Sequence, residues 1–141
     1  MSESLFERFG GEAFFRSLVK DFYTGVVTDP ILRPMYPAED LDGAIERLTL
    51  FLMQYWGGPE TYSKQRGHPR LRMRHAGFWI DSKAKDAWLS HMLNALDLQQ
   101  LETELDEEIR NYLIQTANFL VNQQLPEVRA ITPDNPIRPL P

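Results

Sequence analysis

GGEAFFRSLVKDFYTGVVTDPILRPMYP, residues 10–37, sets the character of the whole chain. Phe15, Leu18, Phe22 and Val26 recur at three- and four-residue spacings, with Phe14 and Tyr23 beside them. That period predicts an amphipathic helix over residues 12–27. Gly10-Gly11 supplies the turn before it. Asp29-Pro30 stops it, because the residue before a proline avoids helical backbone. Pro34 and Pro37 keep the following stretch short and irregular.

The same period continues outward. Leu41, Ala44, Leu48, Phe51, Leu52 and Tyr55 define a second long helix over 40–56, with Asp40 as the expected N-cap. Gly57-Gly58-Pro59 ends it, and a Gly-, His-, Pro- and Arg-containing loop is expected to about residue 71. A short helix is expected to carry Met73–Phe78. A third long helix, about 83–97, is capped by Asp81 or Ser82, with Trp88, Leu89, Met92, Leu93 and Leu96 inward. Asp106-Glu107-Glu108 puts acid in the first turn of a fourth, where the helix dipole favours it. That helix runs to about 123 on Leu105, Ile109, Tyr112, Leu113, Thr116, Phe119 and Leu120. No run reads as strand. The expected class is all-α: a domain over residues 1–124, then an extension over 125–141 that holds five of the ten prolines and has no periodicity.

Composition narrows the functions. The chain has 141 residues, 43% of them hydrophobic, which is enough for one domain with a real core. A net charge of -5 gives no global attraction to nucleic acid or to an anionic membrane. There is no cysteine, so disulfides, thiolate zinc sites, iron–sulfur clusters and covalent haem attachment are excluded. Residues 1–8 lack the apolar run of a signal peptide, and no segment approaches the roughly 20 apolar residues of a membrane span. A cytoplasmic protein is the expectation.

Three histidines are the candidates for metal chemistry: His68, His75 and His91. His91 lies in a helix with no special neighbours and reads as structural. His68 precedes Pro69 in extended backbone, where a capping or local hydrogen-bonding role suffices. His75 differs, since it follows Leu71 and Met73 and precedes Phe78, so its imidazole can meet a metal at the base of an apolar slot. No HExxH occurs, and no second ligand stands at chelating spacing, so zinc lacks a ligand set. A single-histidine site makes sense when a macrocycle supplies the other ligands, which points to haem. Lys64, Arg66, Arg70, Arg72 and Arg74 lie within 11 residues that contain no acid. Such a run is ordinarily a solvated face; beside His75 it would also partner haem propionates, which suit arginine's fork. Without interleaved exposed aromatics it does not read as a nucleic-acid surface.

The segment YWGGPETYSKQRGHPRLRMRHAGF, residues 55–78, closely resembles the proximal region of group II truncated haemoglobins of bacteria, and residues 10–37 resemble their N-terminal region. The resemblance spans roughly residues 4–123. It implies a truncated globin fold, a two-over-two helical sandwich around non-covalent haem b. It implies His75 as the proximal iron ligand, and Tyr23, Tyr36 and Trp88 as the distal polar groups. Ala44 stands where many globins carry a distal histidine. Leu48 matches the apolar residue over the iron. Phe22, Phe51, Tyr62, Phe78 and Met92 are expected around the cofactor, with Arg72 and Arg74 at its propionates. Each aromatic alone would read as core; their joint occurrence with the His75 segment favours the site. A core needing only bulk would not bury hydroxyls and an indole N–H, which cost free energy unless partnered.

The resemblance further implies O₂ as ligand, with NO, CO and H₂O₂ as others. Donors around a dry ligand stabilise the charge it acquires, so slow O₂ release is expected. That suits oxidation of NO or peroxidase-like turnover, with an unidentified reductase as partner. The alternatives are an O₂ carrier or sensor acting with a partner protein, and a haem-free helical interaction module. Assembly into a homo-oligomer stays open.

Overall fold

The computed structural model describes residues 4–36, 39–67 and 81–121. Among them the chain forms α1 (Leu5–Phe9), α2 (Gly11–Val26), a 3-10 turn (Arg33–Met35), α3 (Leu41–Tyr55), α4 (Thr61–Arg66), α5 (Ser82–Gln99) and α6 (Thr103–Leu120), and no strand. The expected short helix at Met73–Phe78 and the 125–141 extension lie outside the described residues.

The centre of the fold is α2. Its apolar stripe is completely covered: Phe15, Leu18, Val19, Phe22 and Val26 are all 0% exposed. It packs chiefly on α5 and, on another side, on α3, while α6 lies along α5. Burial of a Phe or Leu side chain stabilises by about 1.5–3 kcal/mol, so this one stripe is a large share of the core. Its polar side carries Arg16, which donates to Glu12 at 2.6 Å and to Glu46 of α3 at 2.9 and 3.3 Å. This clamp is exposed and contributes little stability, but it ties the two helices on their solvent face.

Two caps follow the sequence and one does not. Asp81 accepts the Ala84 N–H at 2.9 Å, as expected of the residue before α5. Ser4 accepts the Glu7 N–H at 3.2 Å and starts α1, a helix the periodicity did not indicate. Asp40 sits at the start of α3 but makes no side-chain cap; its carboxylate turns to Arg47 at 3.1 Å instead. The loop expected after Pro59 contains α4, whose Ser63 is held to Gln54 of α3 by two hydrogen bonds of 2.7 and 2.9 Å. On α6, Leu105, Ile109, Leu113 and Ala117 face the core, so Phe119, expected inward, is 53% exposed. A stripe repeating every fourth residue rotates Phe119 out of the buried arc.

The N-terminal end of α2 rests on an aromatic cluster. Phe15 stacks on Phe6 at 5.8 Å between centroids and meets Phe9 and Phe14 edge-on at 5.9 and 4.9 Å. Phe9 in turn meets Trp56, at the end of α3, at 5.2 Å. Phe15→Ala should therefore cost about 3–5 kcal/mol, from lost burial plus an unfilled cavity. Denaturant unfolding of the holoprotein measures this; a loss under about 1 kcal/mol would mean the cluster collapses around the gap.

Candidate functional site

Three elements bring their polar aromatics to one place. Tyr23 comes from the last turns of α2 and is 4% exposed. Tyr36 follows the 3-10 turn, and Trp88 lies in the second turn of α5. The Tyr23 and Tyr36 rings meet nearly at right angles, 5.4 Å between centroids. Phe22 lies edge-on to Tyr23 at 4.9 Å and to Trp88 at 5.4 Å, and so forms the apolar floor between them.

The polar ends of these rings are neighbours: Tyr23 and Trp88 both lie close enough to Tyr36 to influence its ionisation. Indole N–H is donor-only, whereas each phenol can donate or accept.

Burial is the largest influence on both phenols. It pushes Tyr23 far above the ordinary phenol range, aided by Tyr36 and opposed by Arg47 of α3. Burial also raises Tyr36, while the bonds from Tyr23 and Trp88 pull it back, leaving it pushed up to about 12. Both hydroxyls therefore stay protonated, and able to donate, through neutral and alkaline pH.

The remaining expected residues fall as follows. Ala44 and Phe51 of α3 are buried, Leu48 is half-buried, and Met92 of α5 is fully buried, all within or against one core. Tyr62 of α4 is buried and meets Phe51 edge-on at 5.7 Å. His68, Arg72, Arg74, His75 and Phe78 lie outside the described residues. His91, expected to be without special neighbours, is not: its Nε2 lies 2.6 Å from the Asp29 carboxylate. That bond is the leading cause of an Asp29 pKa held below its ordinary value. Sequence reading missed the pair because its members stand 62 residues apart.

These surroundings suit a flat apolar ring. Leu41, Ile45, Leu48, Ala87, Trp88 and Leu93 are hydrophobic yet only partly buried, packed against the core from α3 and α5. Among the described residues the one buried polar or charged group outside the tyrosines and tryptophans is Thr49, whose hydroxyl donates to the Ile45 carbonyl at 2.8 Å. Among the described residues no buried carboxylate competes for the donors of Tyr23, Tyr36 and Trp88. Among the described residues no helix is long and apolar enough to cross a membrane.

A helical fold with partly buried aliphatic groups of α3 and α5 against its core, and three polar aromatics gathered at one place, suits a small protein built around a bound group. The profile of the bacterial-like globin family matches residues 4–122. A group 2 truncated haemoglobin of Bacillus subtilis is 42% identical over 120 residues, covering 85% of this chain and 90% of that protein. A thermostable haemoglobin from Thermobifida fusca has a similar structure, with a TM-score of 0.84 and 52% identity, covering 89% of this chain and all (100%) of that one. A B. subtilis structure described as a truncated oxygen-avid haemoglobin superposes with a TM-score of 0.80 at 40% identity, covering 85% and 100%. The chain belongs to the bacterial-like globin family. It has the two-over-two truncated globin fold, binds haem b non-covalently, and takes O₂ and other diatomic ligands.

The phenol shifts give a pH prediction. A raised phenol pKa means that the folded state holds the proton more tightly. The resulting stability is complete below the ordinary value of 10 and is lost as pH rises through about 12. Alkaline titration by ultraviolet absorbance should show the phenolate of Tyr36 only as pH approaches about 12. Comparison with Tyr36→Phe isolates its signal; a Tyr36 phenolate at the ordinary value would mean the hydroxyl is solvated.

Proposed function

We propose that this protein holds O₂ at a five-coordinate haem iron with slow release, and uses it for redox chemistry on O₂, NO or peroxide. The observation that carries this reading is the gathering of Tyr23, Tyr36 and Trp88 at one place, with the Tyr23 and Tyr36 rings 5.4 Å apart and Phe22 against both Tyr23 and Trp88. Haem iron supplies the binding position and places partial negative charge on the ligand. The side chains do the rest. His75 holds the iron from the proximal side, and Arg72 and Arg74 partner the propionates. Tyr23 and Tyr36 can turn their hydroxyl protons to the ligand or to each other, and Trp88, which is donor-only, points its indole N–H at the ligand. Ala44 has no group to offer, and Leu48 with Phe22, Phe51, Tyr62, Phe78 and Met92 keeps water out. In such a dry setting each donor is worth about 1–3 kcal/mol.

Slow release makes a poor delivery vehicle. It favours chemistry at the held ligand, such as NO dioxygenation or peroxidase-like turnover, with electrons from a separate reductase. The B. subtilis relative described as oxygen-avid supports the same direction. An O₂ carrier or sensor working through a partner is the second reading. The measured oxidation of NO by the oxygenated protein, set against its O₂ release rate, separates the two. The globin domain is assigned to residues 1–124, with 125–141 as an extension and the cytoplasm as its place of action.

Two mutations test the reading. His75→Ala should lose tightly held haem, seen as loss of Soret absorption on gel filtration; wild-type haem retention and ferrous spectrum would reject His75 as ligand. Trp88→Phe should speed O₂ release more than Tyr23→Phe. Losing Trp88 removes the dedicated donor to the ligand. Losing Tyr23 leaves Tyr36 able to turn toward the ligand and compensate. A loss of about 2–3 kcal/mol corresponds to roughly 30- to 150-fold faster release by stopped-flow displacement. An unchanged rate in Trp88→Phe would make it a core residue only.

A further inference from the structure

We propose that His91 and Asp29 form a positioning pair, fixing the corner that carries Tyr36 against the helix that carries Trp88. This rests on the reading above that Tyr36 and Trp88 face the ligand. Tyr36 and Trp88 come from different elements, and bringing both to the cluster of Tyr23 and Phe22 needs those elements in register. The corner between α2 and α3 is stiffened from both ends. At its start, Asp29 Oδ1 accepts the N–H groups of Ile31 at 2.7 Å and Leu32 at 3.2 Å. The Asp29 carbonyl accepts the N–H of Arg33 at 2.8 Å. At its end, Arg33 Nη1 donates to the Tyr36 carbonyl at 3.2 Å, and the Tyr36 N–H donates to the Arg33 carbonyl at 3.3 Å. Residues 29–36 therefore move as a unit.

The other carboxylate oxygen of Asp29 ties this unit to α5. It meets His91 Nε2 at 2.6 Å, with side chains only 14% and 24% exposed. His91 lies three residues beyond Trp88, so both project from one face of α5. The helix thus grips the corner at its first residue through His91, one turn from Trp88. Gly25 makes this approach feasible, since a Cβ there would overlap the His91 ring. A pair that served stability alone would need neither the Asx-type hold on the corner nor its placement one turn from Trp88.

The test compares holoprotein variants as carbon monoxide complexes, whose C–O stretching frequency reports donors near the ligand, and also measures O₂ release. His91→Leu should shift or split the C–O band and speed O₂ release roughly five- to ten-fold. His91→Gln, whose amide nitrogen replaces Nε2 as donor to Asp29, should restore both. Gly25→Ala keeps His91 but displaces its ring, and should change the band as His91→Leu does. In a Tyr36→Phe background, His91→Leu should add nothing further, because the group it positions is gone. A His91→Leu protein with a lowered unfolding midpoint but wild-type band and release rate would overturn the proposal. If that variant does not fold, an unshifted band in Gly25→Ala overturns it. Silent His91→Leu beside responsive Tyr36→Phe and Trp88→Phe removes only the positioning pair. Silence in all three removes the ligand-facing reading beneath it.

Discussion

The cluster of Tyr23, Tyr36 and Trp88 is where the protein's architecture and its chemistry meet. Tyr23 comes from α2, Tyr36 from the corner after it and Trp88 from α5, with Phe22 against both Tyr23 and Trp88. That arrangement exists only if three chain segments hold fixed relative positions. The requirement explains why α2, the fully buried centre of the molecule, packs on both α3 and α5. Its interior stripe does more than fill space: it is the reference against which the corner at residues 29–36 and the face of α5 are set.

Electrostatics and packing act together at the site. Burial by itself would penalise the phenols by denying the ionised form water, and it does raise both pKa values. That shift keeps the hydroxyls neutral, which is the donor form. Partly buried aliphatic groups of α3 and α5 pack against the same core, and among the described residues no carboxylate is buried. A hydroxyl in such surroundings loses little to water. The absence of cysteine in the sequence matches a cofactor held by coordination and packing, with no covalent attachment.

Much of this was legible in the residues, for identifiable reasons. The period of Phe15, Leu18, Phe22 and Val26 reveals α2, and Asp81 announces α5 through a cap it does form. Short elements were not legible: α4 has six residues, too few for a period to register, and it follows Gly57-Gly58-Pro59. For α1 a signal existed, since Ser4 and Glu7 have capping-box spacing. Asp40 shows the limit of local reasoning, because a charged partner seven residues on took the carboxylate that capping would have used. His91 shows it more sharply, as nothing near it in sequence indicates Asp29. The grouping of Tyr23, Tyr36 and Trp88 was expected through resemblance; the angles at which Phe22, Tyr23 and Tyr36 meet, and the influence of Arg47 on Tyr23, came only with the structure.

On the proposed reading, protons from this aromatic group point at the bound ligand. Resonance Raman spectroscopy of the oxygenated holoprotein in H₂O and in D₂O observes that directly. Hydroxyl and indole protons exchange, so donors bonded to the ligand should shift its oxygen-isotope-sensitive bands on deuteration. A shift that shrinks in Tyr36→Phe is the predicted result. Bands identical in the two solvents would contradict the claim and leave Tyr23, Tyr36 and Trp88 as packing residues.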